Sequence, residues 1–293
     1  MTEAAALPLV ARRRALLDAL RRNPLLLTGA AIALVLVLVA AFAPLLAPHP
    51  ADAGTATNPV ASLLPPSAQH LFGTDQVGRD LLSRVIYGTR ISLRIAALVL
   101  ASSIVVGVPL GLAAGYFGGW IDAVIMRITD VFLAFPALLL SLALAAVLTP
   151  SVGNATIAIA VTWWPWYARL ARGQAASVAG RPFIEGCRAL GVPAIRTVLR
   201  HVLPNSITPV IVQASLDVGG IILTAAALSF LGLGAQDPTP EWGLMVSQGQ
   251  SYFTTQWWLV TFPGAAILVT ALAFNLVGDG LREVLDPRRM KRR

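Results

Sequence analysis

Residues Leu25 to Ala47 read LLLTGAAIALVLVLVAAFAPLLA, 23 residues without a charged side chain. A helix of about 20 residues crosses the roughly 30 Å hydrocarbon core of a bilayer, so this run is long enough to span it. The basic residues before it give the outline of a secretory signal. A signal's apolar stretch is only about 7–15 residues, however, so the run is expected to remain as a first membrane helix. Working outward, comparable apolar runs recur near 93–115, 130–149, 153–170, 206–231 and 258–278. The expectation is an all-α membrane protein with six transmembrane helices in one domain over 25–278, flanked by a tail at 1–24 and a basic tail at 279–293. Runs three and four are joined by little more than Thr149-Pro150-Ser151-Val152-Gly153-Asn154, whose proline, glycine and asparagine favour a tight turn and an antiparallel hairpin.

Composition agrees with a bilayer as solvent. Hydrophobic residues make up 56% and charged residues 12% of the 293, and the mean hydropathy is +0.73; soluble domains carry about a quarter charged residues. The net charge of +8 would suit nucleic acid, but the basic residues stand in blocks beside the apolar runs, so no nucleic acid is expected. Cys187 is the single cysteine and excludes an internal disulfide, and three scattered histidines offer no zinc cluster, so no metal is expected. The apolar runs hold no histidine and no carboxylate pair, which argues against a membrane-embedded enzyme.

Basic residues are retained on the cytoplasmic side of a membrane, so their count orients the chain. One set of segments holds Arg12, Arg13, Arg14, Arg21, Arg22, Arg127, Arg169, Arg172, Arg181, Arg188, Arg196, Arg200, Arg282, Arg288, Arg289, Lys291, Arg292 and Arg293; the other holds Arg79, Arg84, Arg90 and Arg94. Eighteen against four places both termini in the cytoplasm. The loops at 48–92 and 232–257 then face outward and 171–205 faces the cytoplasm. In the first outer loop, Gly73-Thr74-Asp75 supplies capping groups, Val77, Leu81 and Val85 recur at helical spacing, and Asp80 and Arg84 form an i,i+4 pair. An amphipathic helix on the outer surface is expected there. Trp257 and Trp258 end the second loop where an interfacial aromatic belt would lie, and Trp163, Trp164 and Trp166 are read as anchors at the inner end of span four.

Between runs four and five the chain reads Gly180-Arg-Pro-Phe-Ile-Glu-Gly-Cys-Arg-Ala-Leu-Gly-Val-Pro-Ala-Ile-Arg-Thr-Val-Leu-Arg-His-Val-Leu-Pro-Asn205. Pro182 suits a first helical position and Gly191 the left-handed residue past a helix end, so 182–190 is expected as one short helix. Pro193 starts a second, which Pro204 is expected to stop. Phe183, Cys187 and Leu190 would share one apolar face; Ile195, Val198, Leu199 and Val202 would form another. Two readings stand: a loop basic for topology alone, or a knob that docks a soluble partner.

The spacing of this loop resembles the cytoplasmic signature of binding-protein-dependent ABC importer permeases: Glu-Ala-Ala, three residues, Gly, nine residues, Ile, one residue, Leu-Pro. Here Glu185-Gly186-Cys187 precedes Gly191 by that interval, and His201-Val202-Leu203-Pro204 follows at the next. Gly186 and Cys187 stand where alanines are usual and His201 where isoleucine is usual. The ending is similar to that of the dipeptide/oligopeptide/nickel branch. Further similarity to that branch covers Phe72 to Arg84, Tyr87 to Leu93, Gly115 to Gly119, Leu228 to Gly234, Gly278 to Arg282 and Leu285 to Pro287, nearly the length of the chain. Within that branch the chain resembles the C-type subunit of dipeptide or oligopeptide permeases.

The resemblance implies a type I ABC importer permease in a bacterial plasma (inner) membrane. It implies a second homologous permease subunit, two cytoplasmic ABC ATPase subunits or domains that bind ATP and Mg, and an external substrate-binding protein, with alternating access as the mechanism. The coupling residues carried over are Glu185, Gly186, Cys187, Gly191, His201, Leu203 and Pro204. Cys187 and His201 are read as packing and capping side chains. The branch favours dipeptides or oligopeptides, with nickel, glutathione or another small solute as alternatives. The segment from Thr74 to Arg94 is either a paired structural helix or a receiver for the binding protein.

Two features complete the functional reading. The only lysine is Lys291 in the basic tail, so no Walker phosphate loop exists in this chain and no cofactor is expected in it. Asp217 stands in the fifth run with Gln213 one turn earlier; a carboxylate there faces the bundle interior or water, either lining the translocation path or pairing with a neighbouring helix. Pro136 and Pro165 are candidate pivots. A stand-alone secondary transporter or channel is disfavoured by the near absence of intramembrane ionisable groups.

Overall fold

The computed structural model describes residues 23–285, so most of both expected tails, with their basic clusters, lies outside the described residues. Every regular element among the described residues is helical, apart from an isolated bridge between Thr74 and Asp80. Helix α1 (Pro24–Ala41) starts where Asn23 accepts the Leu26 N–H at 3.0 Å and Pro24 occupies a position that needs no donor. It is apolar all round and buries only Leu26 and Gly29, as a lipid-facing helix would.

Helix α2 (Leu81–Phe117) runs unbroken for 37 residues. At 1.5 Å per residue it measures roughly 55 Å, well beyond a hydrocarbon core. The expected separate surface helix does not form: Thr74 to Asp80 is loop, and from Leu81 the same helix continues into the second apolar run. Asp80 caps it, and no proline interrupts the first half to divide it.

The third expected span, 130–149, is also not one helix. Helix α3 (Gly119–Leu133) and α4 (Ala137–Val147) meet at 83° across Ala134, Phe135 and Pro136. Pro136 donates no hydrogen bond and pushes Phe135 away from helical geometry, so the break falls there. Pro165, by contrast, sits inside α5 (Val152–Ala179) without ending it. The later helices are α6 (Pro182–Ala189), α7 (Ala194–Thr197), a π turn over Val198–Val202, α8 (Leu203–Phe230), α9 (Trp242–Gly249) and α10 (Trp258–Leu285); a separate helical turn over Ala43–Leu46 follows α1 after Ala41, and 3-10 turns lie at Pro50–Ala53, Pro59–Ala61 and Gln250–Tyr252. Four helical stretches among the described residues are long and apolar enough to cross a membrane, or five if the bent pair counts as one.

Close backbone contact holds the bundle together. Gly107, Gly111 and Gly115 of α2 face α5 so tightly that a Cβ on each would lie 2.5, 2.3 and 2.4 Å from the carbonyl oxygens of Trp164, Ala168 and Arg172. Ala168, Ala171 and Ala175 opposite them are fully buried. Lipid tails are as apolar as leucine, so membrane helices associate through such small-residue seams rather than through the hydrophobic effect. The same device joins α1 to α10, where Gly29 meets Leu276 and Gly280 meets Leu26.

One core cluster gathers Ile159, Ile221, Trp242 and Trp258; the other gathers Tyr116, Tyr167, Ile184 and Val202, and reaches the 180–205 loop. Trp258 is therefore a core residue, only 6% exposed, whose indole donates to the Thr74 carbonyl at 3.3 Å, and not a member of an interfacial belt. Trp257, half-exposed, fits that role better.

Candidate functional site

The 180–205 loop folds from its punctuation. Pro182 opens α6, and Gly191 has φ +71°, a left-handed conformation that costs a residue with a Cβ about 1–2 kcal/mol. Pro204 does not stop the second helix as expected. The π turn sends the Leu203 N–H five residues back to the Val198 carbonyl, and Pro204 then falls in the first turn of α8, so 194–230 is one continuous rod. Asn205 Nδ2 donates to the His201 carbonyl at 2.7 Å.

The two expected apolar faces are also rearranged. Ile184, which the periodicity passed over, is the anchor: it is fully buried, together with Val198 and Val202. Phe183, Leu190, Ile195 and Leu199 point outward instead, Leu190 being 85% exposed. The expected stripe on the second helix thus splits, half inward and half outward. Around these exposed apolar groups stand Glu185, Arg188, Arg196 and Arg200, all exposed. A Cβ at Gly186 or Gly191 would meet nothing within 4 Å. Cys187 is partly buried, and the His201 ring lies edge-on to Phe183 at 6.5 Å. Leu203 is half-buried and Pro204 exposed. Arg188 lies over the Tyr116 ring at 5.0 Å, tying the knob to the end of α2. The outcome is a rigidly seated protrusion with a mixed apolar and charged crown.

Asp217 is half-buried between α5 and α8. Tyr167 Oη donates to one carboxylate oxygen at 2.7 Å and Gln213 Nε2 to the other at 2.8 Å. Both predicted residues, Gln213 and Asp217, are therefore brought together, with Tyr167 as a third member that the sequence pattern did not single out. Nearer the other end of the bundle, a groove of about 930 Å³ runs along α2 and α5, lined by Ile91, Leu98, Val106, Ile157 and Trp164, with Arg94 as its one charge. Two ion pairs brace α3 against α5: Arg172 holds Asp122 at 2.6 Å, and Arg169 holds Asp130.

The 48–80 and 231–257 loops interlock through charges that the sequence pattern placed on an exposed surface. Asp75, Arg79, Asp80 and Arg84 are all less than 5% exposed. The expected Asp80–Arg84 pair does not form: Asp80 is spent on the N-cap, accepting from Ser83 N and Oγ at 2.8 and 2.7 Å. Arg79 pairs instead with Asp75 at 2.6 Å and, across 158 residues, with Asp237 at 2.8 Å. Arg84 approaches Asp75 at 3.5 Å and donates weakly to the Asp52 and Pro238 carbonyls. Burial pushes the Asp237 carboxyl up, but the hydrogen bond and charge of Arg79 outweigh it and hold the group below the usual carboxylate range. Burial pushes the neighbouring Glu241 up, despite the N–H groups it accepts as cap of α9. Trp242, fully buried, donates to the Val85 carbonyl at 3.0 Å. Two of the scattered histidines also converge here: His49 and His70 face Asp80.

Residues 107–291 match the family described as "Binding-protein-dependent transport system inner membrane component", and residues 13–66 match "N-terminal TM domain of oligopeptide transport permease C". The chain is 49% identical over 269 residues to the probable D,D-dipeptide transport system permease protein DdpC of Escherichia coli K12, covering 92% of this chain and 89% of that one. It is 46% identical to the dipeptide transport system permease protein DppC of Alkalihalophilus pseudofirmus, covering 92% and 88%. A glutathione transport system permease protein GsiD of Escherichia coli is 42% identical over 92% of this chain and 88% of its own. Among solved structures, a chain of the inward-facing MetNI methionine ABC transporter superposes with a TM-score of 0.57 at 17% identity, over 70% of this chain and 98% of that one. That likeness supports the fold alone.

Proposed function

The chain belongs to the binding-protein-dependent transport system inner membrane components, the permeases of ATP-driven importers, and from that premise we propose that it is the C-type permease subunit of a dipeptide importer. It would form half of the translocation path in a bacterial inner membrane, beside a second, homologous permease. The single observation that carries the coupling role is the crown of exposed apolar and charged side chains on a loop whose base is pinned by fully buried Ile184. Exposed apolar groups ringed by charge suit a protein partner. In this reading Glu185, Gly186, Cys187, Gly191, His201, Leu203 and Pro204 form or shape the surface that enters a groove on an ATPase subunit. Because 194–230 is one rod, a push on the loop moves α8 with it.

Six crossings complete the reading: the four long apolar stretches, the bent α3–α4 pair, and α5, whose Arg169 and Arg172 would sit toward the cytoplasm. Both termini then lie inside, as the eighteen-to-four charge count supports. Asp217, with both oxygens engaged, would border the path and lock α5 to α8 rather than meet substrate directly. ATP and Mg would be bound by two partner ATPase subunits or domains, and an external binding protein would deliver the cargo to the 48–92 and 232–257 loops.

The test is reconstitution of the chain with its partner permease, ATPases and binding protein in lipid vesicles. Dipeptide-loaded binding protein is expected to stimulate ATP hydrolysis and uptake together. Glu185→Lys, at an exposed site in the first turn of α6 where the charge reversal costs that short helix about 0.3–1 kcal/mol, is expected to reduce both at least ~10-fold, the equivalent of about 1.4 kcal/mol of docking free energy. Unchanged uptake in that variant, or ATP hydrolysis by the chain alone, would refute the proposal.

A further inference from the structure

The three histidines are far apart in sequence, yet two of them point the same ring nitrogen at one oxygen. His70 Nδ1 lies 2.9 Å from Asp80 Oδ1 and His49 Nδ1 lies 3.7 Å from it. The three ligand atoms fall within 4.8 Å of one another, and the two rings face each other at 5.0 Å. A hydrogen bond from His70 accounts for one of these approaches. It does not account for the other: His49 Nδ1 is buried and has no hydrogen-bond partner, although the rest of its ring is partly exposed.

The surroundings hold this trio in place before any ligand arrives. Ser83 donates to Asp80 Oδ2 through both its N–H and its hydroxyl, so the carboxylate cannot turn and Oδ1 is the oxygen left over. The same Ser83 hydroxyl accepts the His49 backbone N–H at 2.9 Å, fixing where that ring departs from the chain. Asp52 accepts the Asp80 N–H at 2.8 Å and adds a second negative charge. Opposing this, Arg84 and the N-terminus of α2 are positive, but Asp75 and the capping carboxylate itself face them.

We propose that His49, His70 and Asp80 form a binding site for a divalent transition-metal ion of the zinc type, which clamps the 48–80 loop onto the start of α2. Zinc takes imidazole nitrogen and carboxylate oxygen at about 2.0–2.2 Å, which sets ligand atoms roughly 3.4 Å apart in a tetrahedron. The two histidine–aspartate separations of 3.7 and 2.9 Å bracket that value, and all three ligand atoms lie within 4.8 Å of one another. Two imidazoles and one carboxylate favour zinc, nickel or copper over calcium or magnesium. Ser83, which orients the carboxylate, and Asp52, which holds the backbone beside it, support the ligands from behind. Asp80 adjoins Arg79, the residue that reaches Asp237, so the ion would stiffen both loops together.

The experiment uses the full chain, purified without a histidine tag, stripped with chelator and titrated with Zn2+ by calorimetry, with Co2+ as a spectroscopic stand-in. Uptake of one equivalent per chain, visible Co2+ absorption of a nitrogen/oxygen-ligated tetrahedral site, and a raised unfolding midpoint are expected, with no response to Mg2+. His49→Gln and His70→Gln leave the Ser83 hydrogen bonds to Asp80 in place and are expected to weaken binding at least ~10-fold, with the unfolding midpoint of the metal-free variants read against metal-free wild type. No Zn2+ uptake by the wild-type chain, or equal uptake by the double variant, overturns the site. Neither readout involves transport, so a failed import assay and a failed metal titration are distinguishable.

Discussion

Gly111→Ala adds one methyl group to the tightest point of the α2–α5 seam. That methyl would stand 2.3 Å from the Ala168 oxygen, 2.8 Å from Ala171 Cβ and 2.9 Å from the Arg172 nitrogen. Ordinary contact begins near 3.4 Å, so the shortfall against the carbonyl is 3.4 − 2.3 = 1.1 Å. Two of the three obstacles are backbone, and no rotamer change removes them. The helices must separate, and the separation spreads to Gly107 and Gly115, which sit one turn away in each direction. A gap of about 0.5–1 Å forfeits a quarter to a half of each dispersion contact it opens. Overpacking of this kind costs about 1–3 kcal/mol, and the gain of up to about 1 kcal/mol for alanine over glycine in a helix offsets part of it. The expected net loss is about 1–2 kcal/mol. Gly173→Ala on α5 supplies the control, because its methyl would meet nothing within 4 Å and should be neutral or stabilising. Unfolding midpoints of the purified chain in lipid nanodiscs read both variants. If Gly111→Ala proves as stable as Gly173→Ala, close backbone approach is not what holds α2 to α5.

Two further predictions concern the charges. The Asp237 carboxyl is held below its usual range when folded, so its stabilising contribution is present above the unfolded value and is lost as pH falls through the folded one. Asp237→Asn is therefore expected to be less stable than wild type at neutral pH and to converge with it in acid. Glu241 has the opposite sign: its raised folded value means stability lost as pH rises through it, so Glu241→Gln should gain on wild type toward neutral pH. Midpoints measured across a pH series check both, and parallel curves would contradict them. At Asp217, Tyr167→Phe removes a donor from a half-buried carboxylate and should cost about 1–3 kcal/mol, while Asp217→Asn keeps an acceptor for Gln213 and should cost less. Equal losses would show that the carboxylate relies on other partners.

The chemistry legible in the sequence was local. Leu25 to Ala47 announces a membrane helix because length and hydropathy need no tertiary partner, and Pro182 and Gly191 mark the ends of α6 because their backbone limits act on the spot. The spacing from Glu185 to Pro204 was legible for the same reason. Periodicity failed where two faces of a helix compete: it chose Phe183 and Leu190 as partners, whereas only the position of the loop beneath α2 and α5 decides that Ile184 goes inside.

Long-range pairing was beyond the reach of the sequence pattern. Asp75, Asp80, Arg79 and Arg84 offer several pairings at helical spacing, and the choice falls to Asp237, which lies 158 residues further along and meets Arg79 only when the two loops pack. The chain by itself thus determined what must lie in a bilayer, where helices begin, and which loop carries the family's spacing. The tertiary structure alone decided that Pro136 breaks a span while Pro204 sits within a rod, that the charges of the first loop are buried, and that His49 and His70 meet at Asp80. Each of these depends on which backbone groups and lone pairs find partners once distant segments come together.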